Sequence, residues 1–213
     1  MTSRPPLEAK AQGVRRAQAA QTEAALKQAA LRVFARSGYL NTKIVDITQE
    51  AGRSAGSFYT YFPSKEALLE SLYTDLLAEA DAQVQQGGPN AHSHDFSDRA
   101  AIRWHVATYW ANAKQHRIMM TALRQAATVD ESFARRMQEL ARTDLAHIGD
   151  HLRLAQQQGV RLPGDPDVVA SAVTALMGQF AEHWLGPGSK DRELGDDEAI
   201  ETLTSFIAGG IGL

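Results

Sequence analysis

At 213 residues the chain is long enough to bury one or two real cores. It has no cysteine, no apolar run near the ~20 residues of a membrane span and no apolar centre in MTSRPPLEAKAQGVRRAQAAQ, so disulfides, cysteine-ligated metals, membrane partners and a signal peptide are not expected and a cytoplasmic location is. The net charge of −3 hides a split that suits a protein touching nucleic acid at one end: residues 1–65 hold ten Lys/Arg against four Asp/Glu (+6), whereas residues 66–213 hold twelve against twenty-one (−9).

Met1 to about Ala20 is rich in Pro, Gln, Ala and Arg and reads as a mobile arm. Its Arg4, Lys10, Arg15 and Arg16 could reach phosphates or a minor groove, and a solvated tail is an equal alternative. A first helix is predicted from Thr22 to Ser37 on the stripe Ala25, Leu26, Ala29, Ala30, Val33 and Phe34, with Gly38 ending it. Thr42 is expected to cap a helix over Lys43–Glu50, in which Ile44, Ile47 and Ala51 share a face. Gly52 supplies the turn and Ser54 caps the next piece, about Ala55–Phe62, where Phe58 and Phe62 fall on one side. That leaves Ala55, Gly56, Ser57, Tyr59, Thr60 and Tyr61 off the buried stripe, the thin polar face that a helix–turn–helix offers to a major groove.

Ser64 should cap a fourth helix, with Glu66 suiting its positive end and Leu68, Leu69, Leu72, Leu76 and Leu77 carrying it to about Gln86. Gly87-Gly88-Pro89-Asn90 breaks it, and His92 and His94 fall in the loop that follows. Further helices are predicted near 95–116, 118–128, 130–158, 166–186 and 196–209, divided at His116-Arg117, Val129-Asp130, Gly159 with Pro163-Gly164-Asp165-Pro166, and Gly186-Pro187-Gly188. No segment alternates as a strand would. The expected fold is all-α, with about nine helices.

The run TKIVDITQEAGRSAGSFYTYFPSKEALL resembles the DNA-binding signature of the TetR family of bacterial transcriptional regulators, with the likeness running from about Thr22 to Leu72. The resemblance implies a flexible basic arm (1–21), a helix–turn–helix head (22–65) and a helical ligand-binding and dimerisation domain (66–213). It also implies that Tyr61 and Lys65 contact phosphates, and Thr42 is nominated beside them. Base readout is assigned to Ser57, Tyr59 and Thr60, with Ala55 and Gly56 allowing close approach. Arg53 departs from the apolar residue usual at that turn and could meet a phosphate or a guanine, or stay solvated.

One head reads little sequence, so a homodimer on a palindromic operator is expected. Val168, Val169, Ala172, Val173, Leu176 and Phe180 form one candidate interface stripe; Ile200, Leu203, Phe206 and Ile207 form the other. The middle helices collect Trp104, His105, Tyr109, Trp110, His116, Met119, Met120, Phe133, Met137 and Trp184, side chains of the kind that line small-molecule pockets. The leading liners are Trp104, Trp110, Met137 and Met177, joined by Tyr109 and Met120, with Gln179 or His105 as the polar group. The layout also resembles regulators with long apolar tunnels, the ethionamide-resistance type. His147 and His151 stand four apart, with Asp144 and Asp150 near them, a spacing open to a metal or to a plain helix surface. No metal or cofactor is expected.

An enzyme is not expected either, because no G-x-S-x-G elbow, P-loop, dinucleotide fingerprint or cysteine nucleophile is present. The sequence therefore reads as a ligand-responsive bacterial repressor in the nucleoid, released from its operator by a small apolar effector, with the helix Ser64–Gln86 as the lever. Alternatives are an activator, a corepressor-dependent regulator, or a helical small-molecule-binding protein with a vestigial head.

Overall fold

The computed structural model describes residues 7–86, 95–186, 188 and 192–212, and among these there is no strand. Ten helices follow in order: α1 (Leu7–Asn41), α2 (Ile44–Glu50), α3 (Ala55–Tyr61), α4 (Lys65–Gln86), α5 (Arg99–Gln115), α6 (Arg117–Val129), α7 (Glu131–Leu140), α8 (Arg142–Gln157), α9 (Pro166–Leu185) and α10 (Asp196–Gly210). Arg4, the Gly87–Asn90 breaker, His92 and His94 lie outside the described residues, as do the side chains of Lys10 and Asp144. The chain divides into two compact units, Met1–Tyr73 and Thr74–Leu213, and α4 runs through the division.

In the first unit α1 packs on α2, and α2 on α3. Leu26, Ala29, Ala30, Val33 and Phe34 are buried as their helical spacing predicts, with Ile47, Phe58 and Phe62 opposite them in sequence pattern and equally buried. Helix α1 reaches back to Leu7, fifteen residues before the expected start at Thr22, although residues 13–18 are all exposed. Alanine and glutamine favour helix even where nothing is buried, which the composition-based reading of an arm did not weigh. At the other end Gly38 (φ 72°, ψ 161°) breaks the helical path where it was expected to.

In the second unit α5 packs on α9 and α10, and α8 on α9. Ile102, Val106, Leu152, Val169, Leu203 and Ile207 belong to its main core, and Trp110, Ala181 and Ala199 form a smaller one. The single helix predicted over 130–158 is two, α7 and α8, which accounts for ten helices where about nine were expected. Phe133, Met137 and Leu140 keep one phase, whereas Leu145, Ile148 and Leu152 fall about one residue late for it. A break at Ala141, in ordinary helical-region geometry (φ −76°, ψ −8°), lets both stripes face inward without Gly or Pro.

Candidate nucleic-acid interface and effector cleft

Helix α3 is short and well fixed. Ser54 Oγ accepts from Ser57 N at 3.1 Å and so caps its N-terminus. Gly52 (φ 62°) makes the left-handed turn before it. Phe58 and Phe62 are buried with ring centroids 5.7 Å apart, so the helix is held by one face only. Ala55, Gly56, Tyr59 and Thr60 are exposed on the remainder, Ser57 is half-buried, and Tyr59 is 57 % exposed. The Thr60 hydroxyl donates to Gly56 O at 3.0 Å, which leaves its oxygen lone pairs outward.

The cations of this unit are of two kinds. Arg32 and Arg36 both bind Glu50, at 2.7 and 2.9 Å, and this holds the Glu50 carboxyl below its ordinary range. Arg15, Arg16, Lys43 and Arg53 are exposed instead. Tyr61 is half-buried against Phe62, at 6.4 Å between ring centroids.

Two nominated phosphate contacts do different work in this structure. Thr42 does not cap α2; it is 3 % exposed and its hydroxyl donates to Gly38 O at 2.7 Å, closing the end of α1. Lys43 is the N-cap residue, with its backbone N–H donating to Asp46 Oδ2 at 2.8 Å. The Lys65 ammonium donates to Tyr39 O (2.7 Å) and Thr42 O (2.8 Å) and lies 3.9 Å from the centre of the Tyr39 ring. Burial pushes Lys65 below the ordinary lysine range, and Glu66 beside it pulls the other way. The Tyr39 hydroxyl in turn donates to Glu66 Oε1 at 2.5 Å.

The second unit holds a cleft of about 290 Å³ among α5, α6 and α9. Tyr109 and Met120, both expected pocket residues, line it together with Arg117, Thr121, Arg124 and Glu182. The other expected liners lie elsewhere. Trp110 and Met177 are buried core residues, and Trp110 Nε1 donates to Asp196 Oδ1 at 2.9 Å. Trp104 and Gln179 are exposed, Met137 is half-buried on α7, and His105 packs on Phe96 and His151 at 4.9 Å. The charged groups of the cleft were not singled out from sequence, because nothing local announces that Arg124 and Glu182 meet. Their charges at helical spacing on α6 and α9 were the available signal.

His151 is 4 % exposed and buried in that aromatic cluster, while His147, one turn away, is exposed. Among the described residues no group of three or more His, Asp or Glu is placed to hold a metal ion.

Of the expected interface residues, Val169, Val173, Leu203 and Ile207 are buried within the unit, and Phe180 is half-buried. Leu176 and Phe206 are exposed, Phe206 by 66 %, and Val168 stands beside them at 65 %. An apolar groove of about 700 Å³ lies along this face of α9 and α10.

Comparison with known proteins bears on the first unit most directly. Residues 26–72 match the family model described as bacterial regulatory proteins, tetR family. The HTH-type transcriptional regulator YuxN of Bacillus subtilis (strain 168), itself uncharacterised, is 33 % identical over 90 residues, which cover 42 % of this chain and 30 % of that one. Less than a third of that relative's length is therefore spanned. A Saccharomonospora viridis protein solved with choline superposes with a TM-score of 0.68 at 22 % identity, covering 90 % of this chain and 98 % of the other. The regulator FadR of Bacillus subtilis, solved with stearoyl-CoA, gives 0.71 at 15 % identity, covering 88 % and 98 %. At these identities the likeness shows the fold. With its matched helix–turn–helix and its all-helical TetR-like architecture, the chain belongs to the TetR family of bacterial regulatory proteins.

Proposed function

We propose that the protein is a homodimeric, ligand-responsive transcriptional repressor that reads a palindromic operator. The observation that carries this is α3, a Ser54-capped helix anchored by Phe58 and Phe62 with hydroxyls and small residues turned outward. In this reading Ser57, Tyr59 and Thr60 meet base edges, and Tyr61, Arg53 and Lys43 meet phosphates. Lys65 has one ammonium hydrogen left for a phosphate after serving two carbonyls. Thr42 is dropped from the contacts, since its hydroxyl is spent inside the fold. Residues 22–65 act as the head after a basic arm (1–21), and residues 66–213 as the effector-binding and dimerisation part.

The outward face of α9 and α10 favours the homodimer. Val168, Leu176 and Phe206 would be costly to leave in water, and Ala172 and Gly210 on the same groove allow close approach. Two copies meeting there form a four-helix bundle. An effector in the α5–α6–α9 cleft then alters operator affinity only through its unequal affinity for two states of the protein. The FadR and Saccharomonospora viridis structures, with stearoyl-CoA and choline bound, support ligand binding by this fold. Helix α4, unbroken from Lys65 to Gln86, is the covalent link between the two units.

The test is operator or pool DNA binding as a function of salt. Real phosphate contacts make log K fall steeply with log salt. Tyr61→Phe should weaken binding on every sequence alike, whereas Thr60→Ala should change which sequences are preferred. A flat salt response, or the same uniform loss for both variants, overturns this assignment of roles.

A further inference from the structure

The cleft among α5, α6 and α9 carries more hydrogen-bond donors than its own acceptors can use. Arg124 on α6 is ion-paired with Glu182 on α9, and Glu182 Oε2 is buried there without an aligned hydrogen bond. Arg117, exposed at the N-terminus of α6, makes no ion pair or hydrogen bond among the described residues. The Tyr109 hydroxyl faces the bare Cα of Gly178, where an added Cβ would stand 3.8 Å from it. Burial pushes that phenol above its ordinary range, and Arg124 opposes the shift, so at neutral pH it remains a donor. Burial likewise lowers Arg124 from the usual arginine value, yet a guanidinium keeps its charge. The lining thus sets two guanidiniums and two hydroxyls, Tyr109 and Thr121, against one carboxylate.

The remaining wall is apolar: Ala113, Met120, Ala181 and Leu185. The cleft is at the small end of the range for ligand sites, about 300–1,000 Å³. Its only aromatic is Tyr109, so it lacks the several ring faces that hold an ammonium ion. Fold likeness does not decide the ligand, because neighbours of similar TM-score hold a cation in one case and an acyl-CoA in the other.

From this arrangement we infer that the effector is a small amphipathic anion: a carboxylate or phosphate head held by Arg124, Arg117 and Tyr109, with a short apolar body against Met120 and Leu185. The inference rests on the reading of this cleft as the effector site, and it replaces a purely apolar effector with a charged one. Bidentate geometry suits arginine to both head groups.

Calorimetric titration of the full-length protein with four eight-carbon probes separates the possibilities: octanoate, octyl phosphate, 1-octanol and octyltrimethylammonium, below their micellar concentrations and at one ionic strength. Octanoate or octyl phosphate should bind, at least tenfold more tightly than the alcohol, and the ammonium should not bind. Which of the two anions is tighter tells the carboxylate from the phosphate. Arg117→Ala, at an exposed position, should weaken the anion about tenfold and leave the alcohol unchanged. The double variant Arg124→Gln with Glu182→Gln, which leaves no buried charge unpaired, should abolish the preference for anions. Equal binding of alcohol and anion, or tighter binding of the ammonium, overturns the anionic head while keeping the cleft as the effector site. Binding of none of the four overturns both.

Discussion

The ammonium of Lys65 and the ring of Tyr39 show how a residue known by its motif can carry a second duty. The family resemblance gives Lys65 to the phosphate backbone, but here its Nζ bonds two carbonyls 26 and 23 residues away in sequence. No local pattern could reveal that brace, because it exists only once α1, α2 and α4 have met. The Tyr39–Glu66 bond belongs to the same corner. Burial raises the Glu66 carboxyl, yet the bonds from Tyr39, its own backbone and Ser64, with the charge of Lys65, outweigh that and hold it below 4.5. A carboxyl with a depressed folded value stabilises the protein above its unfolded value, and that contribution fades as pH falls through the folded value. Tyr39→Phe should therefore cost about 2 kcal/mol near neutral pH, the scale of a hydrogen bond to a charge, and clearly less at about pH 3. Urea denaturation of both chains at the two pH values checks this; an equal cost at both would detach Glu66 from the effect.

At the scale of elements, helix ends were the most legible feature wherever a side chain carries the cap. Ser54 and Ser64 cap α3 and α4 as their positions predict, with Ser64 Oγ accepting from Ala67 N at 3.1 Å. Thr42 failed as a cap because a nearer acceptor, Gly38 O, claimed its hydroxyl. The α7–α8 break was hidden because Ala141 has high helix propensity, and only a shift in stripe phase marks it. The two glycines of the first unit make the backbone argument testable. Gly52 sits near the left-handed helical region, which a non-glycine residue enters for roughly 1–2 kcal/mol. Gly38, at φ 72° and ψ 161°, sits in a region almost reserved for glycine. Gly38→Ala should destabilise the protein by about 2–3 kcal/mol and by more than Gly52→Ala does. The midpoints of thermal or urea unfolding rank the two, and the reverse order would mean that α1 does not depend on this kink.

For the whole molecule, the division into a basic N-terminal module and an acidic helical remainder was readable from charge alone, and the all-helical class from periodicity. The effector cleft was not, because aromatic and methionine content marks cores as well as pockets. Trp110 and Met177 are core, and the cleft is defined by charged groups on separate helices. The α9–α10 stripes were found as stripes, but sequence could not divide each into an inward edge, Val169 and Ile207, and an outward edge, Leu176 and Phe206. That outward edge ties dimerisation to operator reading, since a lone α3 contacts too few bases to select a site. Selection of bound sequences from a random double-stranded DNA pool, run in parallel with the natural chain and with Phe206→Glu, tests the central claim most directly. The natural chain should enrich a palindrome with half-sites about one helical turn or a multiple apart, and the variant, monomeric in sedimentation, should enrich none. Enrichment of a palindrome by both would place the dimer contact elsewhere, and no enrichment by the natural chain would contradict the proposed function itself.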